Sequence, residues 1–516
     1  MPFGMNIKLQ LMRGGLLLTL LLPSAAATAQ TFTELLGRPT ASSMTMSILF
    51  SQQADVYWEY GTSAGSYPLA TAVFVGNAAI PREVDFTGLA ASTRYYYRTR
   101  YRLGGSSGAY SAGPAHSFYT QRAPGSTFTF TVEADGHLYD RSQGSYNLYR
   151  INLANQKKDN PDFMLSLGDI FGDDHTPLTT TSAQMKAKHL YYRQFLGNIC
   201  PYVPFYISLG NHEGENDYFL HQTPPNNIAT YATLWRKYYY PNPAPNSFYS
   251  GNTAVEGFGM GQPQNYYAWT WGDALFVVLD IYRSQNPASA DPHGWDWTLG
   301  TPQYQWLTNV LQTSTAEYKF VFAHHPNGQQ RGGINCARMF EWGGYDNTGG
   351  VLVDNGVNVF FQGHDHLFAK EVLDGVIYQE VPMAADSTYH SGVTDWGSYY
   401  SQNIRDGSGH IRVKVSPGCV NVDYVKAYLP ADTLGANKNR QVAFSYSFGT
   451  GCVATGVVGA APAEPVAAYP NPATTGVSVV APSVRPYGRP VRLCNLLGQD
   501  ILTTEIKGGE KSCSWI

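Results

Sequence analysis

Between residues 37 and 122 apolar and polar positions alternate in short runs, at 44–50, 55–60, 84–86, 95–101 and 116–120, with turn residues between them. A period of two sends successive side chains to opposite faces of a strand, so this stretch predicts a small all-β sandwich with one buried face per strand. Past residue 125 the pattern changes. Apolar runs at 128–132, 163–167, 205–209, 320–323 and 357–361 now alternate with helical segments at 145–155, 183–195, 228–238 and 303–311. Strands alternating with helices predict a layered α/β domain, here spanning 125–430. An extension and linker is expected at 431–465; its part from 451 onward is rich in Gly, Ala, Val and Pro, which cannot pack a core. A separate small β module is expected at 466–516, so the chain reads as multidomain, with no internal repeat and no low-complexity run.

Length agrees with that division, since 516 residues at about 150 per domain imply roughly two to four units. Charged residues make up only 14% of the chain while Gly (52), Tyr (37) and Pro (31) are plentiful. Such a balance favours strands, turns and extracellular surfaces over long charged helices. A net charge of -4 with no Lys/Arg cluster offers nothing to a phosphate backbone, so duplex nucleic-acid binding is not expected. At the N-terminus Lys8 and Arg13 precede an apolar stretch at 16–22 and then Ala27-Thr28-Ala29, a signal peptide pattern over 1–29 with cleavage after Ala29. The apolar stretch falls well short of the roughly 20 residues of a spanning helix, so no transmembrane anchor is expected. The protein therefore reads as secreted or displayed at the cell surface. Export permits disulfides, yet the six cysteines are widely spread without CxxC spacing. Cys419 with Cys452 is a plausible bridge, and unpaired buried thiols are an equal reading.

Five short motifs close the apolar runs of the middle domain: Asp135-Gly136-His137, Gly168-Asp169, Gly210-Asn211-His212-Glu213, His324-His325-Pro326 and Gly363-His364-Asp365-His366. All can converge on one sheet edge, where open α/β sheets place their sites. Two metal ions roughly 3.5 to 4 Å apart need a bridging anion with further ligands on each flank. Asp169 is the candidate bridge, with Asp135 and His137 on one flank, Asn211, His324 and His364 on the other, and His366 closing the first site. A mixed His, Asp and Asn set suits iron, manganese or zinc, and the lack of a thiolate argues against a structural zinc knot. One such histidine alone would more often be an ordinary packed residue, but six of the thirteen fall in these ordered motifs. His116, His175, His189, His221, His293, His390 and His410 read as ordinary residues. Of the loop residues, His221 and Arg331 are the better candidates for phosphate contact. Glu213, Asp173 and Asp174 read as loop carboxylates that could orient His212 or nearby water.

With these motifs in hand, the chain resembles the calcineurin-like metallophosphoesterase superfamily over roughly residues 37–430. Asn265-Tyr266-Tyr267-Ala268-Trp269, the run 274–280 and Gln303-Tyr304-Gln305-Trp306-Leu307 strengthen the likeness. The resemblance implies a four-layer α/β sandwich binding two metal ions per chain. Asp135, His137, Asp169 and His366 would hold the first and Asp169, Asn211, His324 and His364 the second. It further implies in-line attack of a metal-bound hydroxide on a phosphate monoester, with His212 stabilising the transition state or protonating the leaving oxygen, and His325 either supporting the ligands from behind or facing substrate rather than binding metal. A phosphodiesterase or nucleotidase using the same centre is the alternative, and a non-catalytic surface binding module a remote one. Leu89 through Arg98 resembles a fibronectin type III domain, in which a tyrosine hydroxyl ties a corner to the backbone. That front makes the chain similar to purple acid phosphatases. Those enzymes carry a tyrosine ligand three residues after the bridging aspartate; here the position is Gly172, so His137 takes its place and no tyrosinate colour is expected. Finally, Ala468-Tyr469-Pro470-Asn471-Pro472-Ala473 through Leu496-Leu497-Gly498-Gln499 resembles the sorting domain of the bacterial type IX secretion system. It reads as incomplete, because further strands would be expected after Lys511-Ser512-Cys513. The resemblance implies type IX machinery as a partner and export through the periplasm.

Overall fold

A computed structural model describes residues 30–139, 144–171, 177–282, 299–326, 350–390 and 403–452, together with five strands beyond them. The expected signal peptide at 1–29, most of the linker, and Gly172, Asp173, Asp174, His175, His293 and Arg331 lie outside the described residues. The chain divides into two compact units, Met1–Gly451 and Cys452–Ile516.

The alternating front of the first unit forms two antiparallel sheets. One runs in the order Phe32–Gly37, Ser43–Phe50, Arg82–Thr87. The other runs Leu69–Ala70, Ala54–Gly61, Arg94–Leu103, Ser111–Tyr119, with Phe74–Gly76 also pairing to Ala54–Gly61. Period two is visible in the burial: Val56 and Trp58 enter the core while Tyr57 and Glu59 are half-buried. Met44, Met46, Trp58, Phe86, Tyr97 and Phe118 share that core. The expected corner bond is present, with the Ala90 N–H donating to the Tyr95 hydroxyl at 2.9 Å. The strand Phe32–Gly37 lies ahead of the expected domain start. Its Leu36 packs into the front core and Leu35 into the cluster around Cys200, and burial on both sides erases alternation.

Two larger sheets follow. The first has the order Phe205–Ile207, Phe163–Ser166, Phe128–Glu133, Gly409–Ser416, Cys419–Lys426, Val442–Phe448. The second has the order Ser250–Gly251, Tyr267–Trp271, Ala274–Val278, Tyr318–Phe322, Val359–Gln362, Val376–Glu380, Ala369–Leu373. Phe130 and Phe163 of the first meet Phe276, Phe320 and Phe361 of the second in one buried cluster, so the sheets lie face to face. On its other face the first sheet buries Met164, Phe205 and Ile207 against helices Tyr146–Lys158, Ser182–Leu196 and Ile228–Tyr239. The second buries Val277, Val321 and Phe360 against Leu307, Leu311 and Leu352 of Gly300–Thr313 and Val351–Asp354. The layers thus run helix, sheet, sheet, helix.

Two expectations need correction. The five motif-bearing strands belong to two stacked sheets, three in one and two in the other, not to one sheet edge. Runs buried on both faces look alike wherever they pair, so periodicity could not separate the sheets. Likewise Val442–Phe448, expected in the extension after 430, pairs with Cys419–Lys426 and closes the first sheet.

Cys419 and Cys452 are both disulfide-bonded, which removes the buried-thiol reading for them, while Cys200 is a buried free thiol. Among the described residues no helix is long and apolar enough to cross a membrane. The second unit is a small β module: Ala467–Tyr469, Val477–Val480 and Ser512–Trp515 form one antiparallel sheet, and Arg489–Cys494 pairs with Asp500–Ile506.

Candidate metal centre

Every expected ligand sits in a loop just past a strand. Asp135 and His137 follow Phe128–Glu133, Asp169 follows Phe163–Ser166, and Asn211 opens the short turn Asn211–Glu213 beyond Phe205–Ile207. From the other sheet, His324 follows Tyr318–Phe322, and His364 and His366 follow Val359–Gln362. Five of these seven residues adopt positive φ: Asp135 (54°), His137 (41°), Asp169 (50°), His364 (77°) and His366 (61°). A side-chain-bearing residue held there costs on the order of 1–3 kcal/mol, so the surroundings must impose the conformation.

Those surroundings can be named. The Glu213 carboxylate accepts N–H groups from Asp169 (2.9 Å), Ile170 (2.9 Å) and Gly210 (2.5 Å), locking two ligand loops together. Asp135 accepts the His364 N–H at 3.0 Å, which joins the two sheets, and Asp169 accepts the His212 N–H at 2.9 Å. Glycine is required where loops touch: a Cβ on Gly210 would lie 2.2 Å from Asp169 Oδ1, and one on Gly363 would lie 2.8 Å from Asp135 Oδ2.

The donor atoms converge. His137 Nε2 and His366 Nε2 are 2.9 Å apart, and His324 Nε2 stands 3.0 Å from Asp169 Oδ2 and 3.3 Å from His364 Nδ1. Among the described residues three sets of donors fall within 4.8 Å of one another: Asp135, His137, His366; His137, Asp169, His212; and Asp169, His324, His364. Ligands bound at about 2.0–2.1 Å around one cation stand roughly 3 Å apart, so these sets fit metal ions. The His324 ring is preset for ligation. Its Nδ1 lies 3.1 Å from the Leu167 carbonyl, and donation there leaves the Nε2 lone pair facing the cluster.

Electrostatics agree with a cation site. Burial opposes ionisation of Asp169, but the His324 and His212 rings outweigh it and hold the carboxyl well below the usual carboxylate range. The same pairing, working against burial, pushes His324 up to about 9. Burial, and then the Asp169 charge, push Glu213 up to about 7. Buried carboxylates draw a proton onto His324, while burial brings His366 down to about 4, and a divalent cation would neutralise such buried negative charge.

The remaining expected residues fare differently. Glu213, read as an exposed loop carboxylate, is fully buried and clamps backbone. His325 is buried, its ring centroid 4.3 Å from that of His364 in the third donor set and its Nδ1 3.0 Å from Tyr282 Oη. His221 has a side chain 60% exposed, and its Nε2 lies 3.2 Å from Asp217 Oδ1, a surface pair apart from the three donor sets. Sequence reading missed Tyr282, whose hydroxyl also reaches Asn211 Oδ1 at 3.4 Å. The signal was present: Asp280 and Tyr282 follow the apolar run Ala274–Val278 as the ligands follow theirs, and the Tyr282 N–H donates to Asp280 Oδ1 at 2.9 Å.

Residues 128–368 match the calcineurin-like phosphoesterase family, so the chain contains a calcineurin-like metallophosphoesterase domain. No curated protein matches the sequence. Among solved structures, that of PhoD superposes with a TM-score of 0.60 at 18% identity, covering 81% of this chain and 90% of that one. The purple acid phosphatase PPD1 from yellow lupin (Lupinus luteus) seeds gives 0.54 at 14% identity, covering 82% of this chain and 74% of that one. At such identities the two structures speak for the fold.

Proposed function

We propose that this chain, a metal-dependent phosphoester hydrolase built on its calcineurin-like phosphoesterase domain, carries two metal ions and hydrolyses phosphate monoesters. The observation that supports the two-ion reading is Asp169, which belongs both to a donor set with His137 and His212 and to one with His324 and His364. Asp135, His137, Asp169 and His366 would hold one ion, and Asp169, Asn211, His324 and His364 the other. Bound there, iron, manganese or zinc would supply Lewis acidity toward phosphoryl oxygens and lower the pKa of water from about 15.7 to about 7.

The chain's own groups do the rest. His212 is anchored by its N–H on Asp169 Oδ1 at 2.9 Å and keeps Nε2 3.8 Å from Asp169 Oδ2, beside the reacting region. From there it stabilises developing charge or delivers a proton to the leaving oxygen. His325 and Tyr282, bonded to each other, orient substrate on the Asn211 flank. His212→Ala is expected to lower kcat about 10²- to 10⁴-fold, the usual worth of a general acid, while metal content by elemental analysis stays unchanged. Unchanged turnover would remove His212 from the mechanism.

We also read the front as fibronectin type III-like, supported by the Ala90–Tyr95 corner bond. Export as a secreted or surface protein, with type IX machinery acting on 466–516, is supported by the sequence motifs. The activity is tested by comparing turnover of p-nitrophenyl phosphate and bis-p-nitrophenyl phosphate by the full chain loaded with manganese, iron or zinc. Strong preference for the monoester is expected; strong preference for the diester would make the chain a phosphodiesterase.

A further inference from the structure

A cleft of about 330 Å³ opens where strands Arg94–Leu103 and Ser111–Tyr119 of the front meet the end of helix Tyr146–Lys158. This is the lower end of small-molecule sites, at ~300 Å³ and above, and about ten times the ~30 Å³ of one water. Two cations line it, Arg94 and Lys157. Arg94 donates from Nε and Nη2 to the Ser117 hydroxyl at 3.2 and 2.9 Å, and Lys157 Nζ lies 3.5 Å over the Tyr202 ring. Neither is ion-paired with a carboxylate among the described residues. Their neighbours are: Arg98 and Arg100 pair with Glu59, and Arg102 with Asp55. Asp162, the carboxylate that feels Arg94, is engaged by Arg122 at 2.6 and 3.0 Å.

His116 lines the same cleft, only 8% exposed, with Nδ1 lacking a hydrogen-bond partner. Its ring packs edge-on against Tyr202 at 4.4 Å, and its Nε2 is 3.7 Å from Glu34 Oε2. Burial, aided by the Lys157 charge, brings His116 down to about 4, so at neutral pH the ring offers a hydrogen-bonding atom without charge.

We infer that this cleft binds a small organic anion, a ring bearing one phosphate or carboxylate group: Arg94 and Lys157 take the anionic group, and His116 and the Tyr96 and Tyr202 rings receive the body. Unpaired cations beside aromatic walls suit such a ligand, and the volume exceeds what a bare ion fills. It is not the ester being cleaved. Asn160 and Val203 line the cleft ahead of strands Phe163–Ser166 and Phe205–Ile207, whose far ends lead to Asp169 and Asn211. At about 3.3 Å per residue the two places lie on the order of 20 Å apart.

Phenylphosphonate and benzoate carry such a ring without a hydrolysable ester. Each is titrated calorimetrically into the full chain, with and without chelator. Expected is one equivalent of binding that survives chelation and weakens at least tenfold in Arg94→Gln/Lys157→Gln, with p-nitrophenyl phosphate turnover unchanged. Ala115→Trp, which fills the cleft and keeps both charges, should weaken it equally. Which probe binds tighter tells phosphate from carboxylate. Chelator-resistant binding that is absent from the wild type, or equal in wild type and both variants, overturns the site. Inorganic phosphate binding as tightly as phenylphosphonate would sink the ring.

Discussion

At Glu213 one carboxylate receives three buried N–H groups from two loops, and both loops carry metal-ligand candidates. Each N–H left unpaired costs on the order of 1–3 kcal/mol. Glu213→Ala is therefore expected to destabilise the protein by at least ~3 kcal/mol in chemical denaturation. Because the clamp orients ligands, metal affinity should fall about 10- to 100-fold as well. Glu213→Gln keeps one acceptor and should fall between. Intact metal binding in the alanine variant would mean the left-handed ligand residues are imposed by something else. The motif Gly210-Asn211-His212-Glu213 was legible as a unit, but nothing in it distinguishes a side chain facing metal from one folded back onto backbone. That choice follows from burial, which leaves Glu213 no solvent and three N–H donors within reach.

Helix Tyr146–Lys158 ends at Asp159, which binds across to strand Gly409–Ser416 through His410 Nε2 at 2.8 Å and Arg412 Nη1 at 2.9 Å. Burial opposes ionisation of Asp159, but the His410 bond and the arginine charges prevail, and its pKa drops below the ordinary carboxylate range. A depressed folded pKa contributes stability that is fully present above the unfolded value near 3.9 and is lost as pH falls through the folded one. Asp159→Asn is thus expected to cost about 2 kcal/mol at pH 7, as a hydrogen bond to a charged group does. The gap from wild type should narrow below about pH 4 in urea melts; a constant gap down to pH 2 would show that the charge is not responsible. The helix itself was foreseen at 145–155 and runs three residues further. Its start was legible because Ser145 caps it, accepting the Leu148 N–H at 3.4 Å, whereas its end depends on the distant strand.

At the scale of the first unit, the front is fastened to the catalytic layers. Arg193, fully buried on helix Ser182–Leu196, donates to Thr33 Oγ1 at 3.0 Å, Ser47 Oγ at 3.1 Å and the Ser47 carbonyl at 2.9 Å. Tyr97 donates to the Pro201 carbonyl at 2.6 Å, and the Leu36 N–H to the Cys200 carbonyl at 3.0 Å. A front joined through buried polar bonds should unfold together with its neighbour. Calorimetry is expected to give one transition for both, and Arg193→Met to lower stability by about 3 kcal/mol or more, since the carbonyls and hydroxyls it serves lose their donor. Two separate transitions in the wild type would make the front an independent spacer. Strand Phe32–Gly37, packed on both sides at this junction, shows no alternation and so was not legible as part of the front.

The sequence by itself determined the candidate chemistry: histidines and carboxylates in five ordered motifs, each past an apolar run, need no tertiary information to be read as candidate metal ligands. It also determined the alternating front and the helix-and-strand middle, because periods of two and 3.6 are written locally. Only the tertiary structure decided which runs share a sheet, that Val442–Phe448 completes the first one, and that Glu213 clamps backbone while Tyr282 reaches Asn211. The physical reason is that strand partnership and polar burial are settled between residues far apart in the chain, where no local period carries a record of the partner.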